Sequence, residues 1–256
     1  MSNPFEQLTL GVYEKFVTDL TKLQAWYAWH LFNHAGLKFD EIIEKRVYFH
    51  ALVHKASDQE GEEWKERCRQ RYCEQGADPD TAALEEWVLA QNLPFIRKHV
   101  EDEYLKGWIE PLNTPFFGFS YEYHPEYDVA GSPDLLTLHF RNCFTPDSPL
   151  NHIDKLREGL RMIVARVAQE RPDVTTAQCA TWLNSVEAFA GLFPPEWASR
   201  AIPGNPGNHT GWWGQFMDRT GGLHARNAAR LRATGAFPFQ HRKCTCSMAR
   251  LKKHLH

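Results

Sequence analysis

The sequence predicts an α+β protein, with a helical N-terminal region over 1–110 followed by a mixed-sheet α/β domain over 111–256. Three observations predict it. Apolar residues in the first hundred positions recur at spacings of three and four, and the pattern changes to strict alternation at Phe117. Beyond that point an amphipathic helix lies between two strand-like segments, the order of a strand-helix-strand unit.

The first helix is read along Phe16, Leu20, Leu23, Tyr27, His30 and His34, with Gly36 as its C-cap. Phe39-Asp40-Glu41 restarts the pattern, which continues through Ile43, Val47, His50 and His54 to about Ser57. A charged stretch follows from Asp58 to Arg71. Asp78-Pro79-Asp80-Thr81 is a helix start, and helices are expected over Asp80–Leu93 and Pro94–Gly107. Trp108 to Pro115, with two prolines and an asparagine, is the expected boundary.

Phe117, Phe119, Tyr121 and Tyr123 then share one face of a strand, with Gly118, Ser120 and Glu122 on the other. A loop through Gly131-Ser132-Pro133-Asp134 leads to a second strand, Leu135–Phe140, and the two are expected to form a hairpin. Asp147-Ser148-Pro149 opens a helix with apolar positions Ile153, Leu156, Leu160, Ile163, Val164 and Val167, stopped by Arg171-Pro172-Asp173. Val174–Leu183 is the next strand, expected parallel to Leu135–Phe140. A short helix to Gly191, a Pro/Gly-rich loop over Ile202–Gly211, a helix over Leu223–Ala233 capped by Gly235, a final strand near Cys244–Met248 and a basic terminal helix complete the chain.

Composition narrows the function. Hydrophobic residues at 43% and aromatic residues at 13% supply a packed core. No apolar run approaches the roughly 20 residues that span a bilayer, and the N-terminus lacks a secretory pattern, so a soluble, cytoplasmic protein without membrane association is expected. Six cysteines are too sparse for a disulfide scaffold. The net charge is −3, yet Arg219 to His256 carries nine Lys/Arg and no Asp or Glu. Such asymmetry suits an anionic small molecule, or it pairs with the acidic remainder of the fold. Nucleic acid is disfavoured because no recognised binding motif holds these residues.

Chemistry is sought first at two histidine pairs, His30/His34 and His50/His54, because imidazoles one helical turn apart can converge on one ion. The bland alternative is packing on an amphipathic stripe. His30 and His34 are the metal candidates, and a third ligand is sought among Glu41, Glu44, His99, His124 and His139. Cys244-Thr-Cys246 with His241 has the residue types of a metal site as well. In the strand-helix-strand core, His139 and Tyr121 are the candidate catalytic residues, as base and acid, with packing as the alternative for both. Polar residues after the strands stand where α/β sheets place ligands: Arg141, Asn142 and Thr145 after one, Trp182, Asn184 and Ser185 after the other. Arg141, Asn142, Arg226 and Arg230 are expected to hold an anionic cofactor or donor. Trp182, Asn184, Trp212 and Trp213 are expected to line the substrate, the last two on a lid or wall.

The helical N-terminal region, the aromatic strand, Leu-Leu-Thr-Leu-His-Phe at 135–140, the amphipathic helix and Ala180-Thr181-Trp182-Leu183 together resemble bacterial acyltransferase-like proteins. Those pair a helical domain with a GNAT-like (Gcn5-related N-acetyltransferase) domain. About half the chain is covered. The resemblance implies acyl transfer from an acyl-coenzyme A to a small amine or similar acceptor. It also implies an Arg/Gln-x-x-Gly-x-Gly/Ala diphosphate turn, where this chain reads Arg141-Asn142-Cys143-Phe144-Thr145-Pro146-Asp147. Three functions are therefore expected in this order: a transferase with an acyl-CoA-like donor, a metalloenzyme built on a histidine pair with a divalent metal, and a binding protein gripping a partner with the Trp197–Trp213 loop.

Overall fold

The switch from helical to alternating periodicity is matched, among the described residues, by a switch from helices to strands, with the first strand starting at Phe119 because 115–118 form a turn. A computed structural model describes residues 10–47, 58–76, 80–105, 115–125, 134–204 and 210–256. In chain order these hold α1 (Leu10–His34), α2 (Phe39–Lys45), α3 (Asp58–Gln75), α4 (Thr81–Leu105), β1 (Phe119–Pro125), β2 (Asp134–Phe140), α5 (Ile153–Glu170) and β3 (Thr176–Thr181). There follow α6 (Glu187–Ala190), α7 (Glu196–Ser199), β4 (Ile202–Pro203), α8 (Thr210–Trp213), α9 (Ala225–Thr234), β5 (Arg242–Ser247) and α10 (Met248–Leu255). The α+β class expected from sequence is the class observed. No helix among the described residues is long and apolar enough to cross a membrane.

The chain divides into two compact units, one drawn from 6–110 and 206–238, the other from 111–205 and 239–256. The expected division at 110 therefore needs a correction. Residues 206–238 leave the sheet domain because Trp212, Trp213, Phe216, Ala228 and Leu231 are buried in the same apolar cluster as the cores of α1 to α4.

In the helical unit, α1 buries Phe16, Leu20, Leu23 and Tyr27, while α4 buries Leu84, Val88, Ile96 and Val100. The residues over 58–71, expected as a charged stretch, belong to α3. Its Trp64, Cys68 and Tyr72 at spacing four are fully buried, and the Tyr72 hydroxyl donates to the Ala25 carbonyl at 2.9 Å. A second correction concerns Pro94, expected to separate two helices but lying inside α4. A proline there costs about 3 kcal/mol, which the buried residues on both sides of it offset. Asp80 starts this helix by accepting from the Ala83 amide at 3.1 Å. His50 and His54 lie outside the described residues.

In the sheet unit the strand order is β1-β2-β3-β5-β4. β1 and β2 form the expected antiparallel hairpin, β2 and β3 are the expected parallel pair joined through α5, and β5 lies antiparallel between β3 and β4. One face of the sheet is apolar: Phe119, Leu136, Leu138, Ala177, Cys179, Cys244 and Cys246 pack with Leu156, Leu160, Ile163 and Val167 of α5 and Leu251 and Leu255 of α10. The parallel ladder is short. Only Leu136–Ala177 and Thr137–Gln178 pair, although β2 continues to Phe140 and β3 to Thr181. The carboxyl ends of the two strands thus run without a ladder between them, and Asn184 Nδ2 donates to one carbonyl there, Cys179 O, at 2.9 Å.

Candidate functional site

The second face of the sheet is largely polar, because most of the alternate residues of its strands are polar and the register aligns them. Glu122 faces Thr137, Thr137 faces Gln178, and Gln178 faces Thr245, one row across four strands. A neighbouring row holds Ser120 opposite His139 and Ala180 opposite Lys243. His139 reaches diagonally to Glu122, with Nε2 at 2.7 Å from Oε1, and His124 Nε2 meets the same oxygen at 2.8 Å. Partial burial pushes the Glu122 carboxyl up, but hydrogen bonds from the two imidazoles outweigh it and hold its pKa below the ordinary value. A carboxylate fixed on one ring nitrogen of His139 leaves the other ring nitrogen as the basic site. The side chain of His139 is half exposed.

Deeper in the row, Gln178 Nε2 donates to Thr137 Oγ1 at 2.8 Å. Both residues are buried, Gln178 to 2% exposure. No donor among the described residues reaches Gln178 Oε1.

His139 occupies the expected position on β2, sharing its face with Leu135 and Thr137, but Tyr121 does not join it. Tyr121 pairs with Leu138 and so points to the apolar face. Its hydroxyl donates to Glu170 at 3.1 Å, and burial with that carboxylate pushes its pKa up to about 12. Tyr121 is therefore corrected from candidate acid to a brace between β1 and α5.

Asn142 and Asn184 are also structural. Asn142 Oδ1 accepts from the Phe144 amide at 2.9 Å while its Nδ2 donates to the Asp147 carbonyl at 3.1 Å, closing the turn after β2. Asn184 donates to Cys179 O and Arg242 O and accepts from Trp197 Nε1 at 3.0 Å, which uses its whole amide. The Arg141 main chain is held by Gly118, whose left-handed φ of 91° allows an approach in which any Cβ would meet Arg141 O at 2.2 Å. Trp182 is half-buried against Phe239, with ring centroids 5.3 Å apart.

The remaining candidates belong to the helical unit. Arg226 and Arg230 are exposed on α9 and belong to a different compact unit from the sheet residues with which they were grouped. Trp212 and Trp213 are buried with Tyr27, Phe216 and Phe237, and Trp197 of the sheet unit is buried on Phe193 at 3.9 Å. These tryptophans are core rather than lid or partner-gripping surface.

His30 stacks on Trp26 at 5.2 Å and lies 5.2 Å from the His34 ring, which meets the edge of Trp29 at 5.1 Å. Burial and the neighbouring His34 lower the His30 pKa. No group of three His, Cys, Asp or Glu able to hold a metal occurs among the described residues. Glu41 is paired with Arg46 and Glu44 with Lys65, so the two acidic candidates on α2 are engaged elsewhere. The thiols of Cys244 and Cys246 are buried, and burial pushes them up to about 11 and about 12, the opposite of what a thiolate ligand needs.

The residues present do not fit a CoA diphosphate at the turn before α5. Helix starts after strands are where α/β folds seat anions. Here the Asp147 carboxylate already accepts from the Ser148 amide at 2.7 Å and Asn151 Nδ2 at 2.7 Å, and meets His152 Nε2 at 2.9 Å. A carboxylate of the turn itself thus occupies these donors, and its charge would repel a diphosphate.

Comparison with family models, curated proteins and solved structures finds no match to this chain. The partners of His139 escaped sequence reasoning. Alternation placed Ser120 and Glu122 on one face, yet only the hairpin register brings Glu122 diagonally beside His139. Thr137 and Gln178 are 41 positions apart and meet only through the parallel pair.

Proposed function

We propose that the sheet unit is the catalytic part of a small-molecule-modifying transferase in which His139 is the general base and Glu122 the carboxylate that orients it. The observation that carries this reading is the 2.7 Å contact between Glu122 and a half-exposed histidine on the unladdered end of β2. Carboxyl ends of parallel strands are where α/β sheets bind ligands, and an imidazole oriented by a carboxylate suits proton transfer.

The favoured reaction is acyl transfer. The acceptor's attacking nitrogen or oxygen bonds to the acyl carbon as His139 takes its proton, and the bond from that carbon to the leaving group breaks. The leaving group departs with the electron pair and receives the proton back from His139. Because Asp147 fills the turn before α5, the reading uses a donor that is not anchored there by a diphosphate.

The test offers the N-acetylcysteamine thioester of acetate, and acetyl-CoA beside it, with a panel of alkylamines and alcohols while thiol release is followed. The simple thioester is expected to be consumed, and His139→Ala is expected to lower kcat about 100-fold or more. Glu122→Gln should cost less, because it loosens the imidazole without removing the base. Unchanged turnover in His139→Ala, or no consumption of either donor, would remove the reading.

A further inference from the structure

We propose that the polar row Glu122–Thr137–Gln178–Thr245 binds an organic cation that donates an N–H to Gln178 Oε1. This rests on the reading above that the polar face of the sheet is the substrate face. A buried carboxamide has two donors and one acceptor oxygen to satisfy, and burying an unmet acceptor costs about 1–3 kcal/mol. Gln178 is 2% exposed, and its Nε2 is committed to Thr137 Oγ1 at 2.8 Å. Its Oε1 is buried with no donor among the described residues.

Leucine or valine at this central position of β3 would avoid the cost, so the retained oxygen points to a bound donor. Glu122 supplies the charge preference. It lies in the same row two strands away, roughly 10 Å at ordinary strand spacing, and stays ionised because the imidazoles of His124 and His139 hold it. An acceptor at one end and a carboxylate at the other favour an N–H-bearing cation over an alcohol or an anion.

Three probes of one length separate these chemistries: butane-1,4-diamine, butane-1,4-diol and succinate. Each is titrated into the full-length protein without any donor, with affinity read by calorimetry and the Gln178 side-chain amide followed by nuclear magnetic resonance. The diamine is expected to bind about ten-fold more tightly than the other two and to shift the Gln178 amide signals. Gln178→Leu and Gln178→Met should each weaken diamine binding about ten-fold. Equal binding of diamine and diol, tighter binding of succinate, an unmoved Gln178 signal or no binding of any probe would overturn the inference. The amide signal is read on the unsubstituted protein, so the test survives a variant that fails to fold. Diamine binding of the expected kind without any thioester turnover would leave the inference standing and sink the transferase reading alone.

Discussion

At the scale of single residues, the contact between His30 and Gly235 shows how a candidate metal ligand becomes packing. Gly235 closes α9 in the left-handed conformation, with φ 66°, and a Cβ built there would lie 2.1 Å from His30 Nε2. The imidazole cannot swing aside easily, since it is stacked on Trp26 and flanked by His34. Gly235→Ala should therefore destabilise the protein by about 1–3 kcal/mol, combining backbone strain with overlap. His30→Ala in the same chain removes the overlap and should recover part of that loss. Urea denaturation of the two single variants and the double variant checks this, and strictly additive changes would show that the contact is not the cause.

At the scale of elements, α10 packs on the sheet unit through Leu251 and Leu255, and one carboxylate ties its first turn. Glu196 accepts from the Ser247 amide at 2.8 Å and pairs with Arg250, while Ser247 caps the helix by accepting from the Arg250 amide at 3.3 Å. Burial pushes the Glu196 carboxyl up, but the Ser247 hydrogen bond and the Arg250 charge outweigh it, so its pKa lies below the ordinary 4.5. A carboxyl with a depressed folded pKa contributes stability that is present above its unfolded pKa and lost as pH falls through the folded one. Protection of the α10 amides against hydrogen exchange, relative to an unstructured chain at the same pH, should thus hold at pH 7 and fall below about pH 4.5. Glu196→Gln should exchange faster at pH 7 already and lose most of that pH dependence. An acid response identical to that of the unsubstituted chain would assign the effect to other carboxylates.

At the scale of the whole molecule, the chain leaves each unit and returns to it. Residues 206–238 complete the helical unit with Trp212, Trp213, Phe216 and Leu231, and 239–256 complete the sheet unit with β5 and α10. β5 is an interior strand, so its loss unpairs both β3 and β4. A fragment of residues 1–205 should consequently lose cooperative unfolding, because both cores lack a wall. Near-ultraviolet circular dichroism through a urea titration checks it; a sharp transition in the fragment would mean that one unit closes without the returning segment. The basic C-terminal stretch is divided as well. Arg219, Arg226, Arg230 and Arg232 go to the helical unit and the other five basic residues to the sheet unit, with Arg232 held on Glu85 at 2.6 and 3.0 Å.

The α+β class, the helical start, the hairpin and the β2-α5-β3 unit are legible in local patterning, since periods of 3.6 and 2 residues are local properties. The sequence also singled out His139, on the face of its strand that carries Leu135 and Thr137. Tertiary structure decided what surrounds that residue: the hairpin register delivered Glu122, the sheet order set Gln178 beside Thr137, and Tyr121 fell on the opposite face. It likewise returned 206–238 to the helices and carried α4 through Pro94. Register and long-range burial depend on residues tens of positions apart, whose pairing no local pattern encodes.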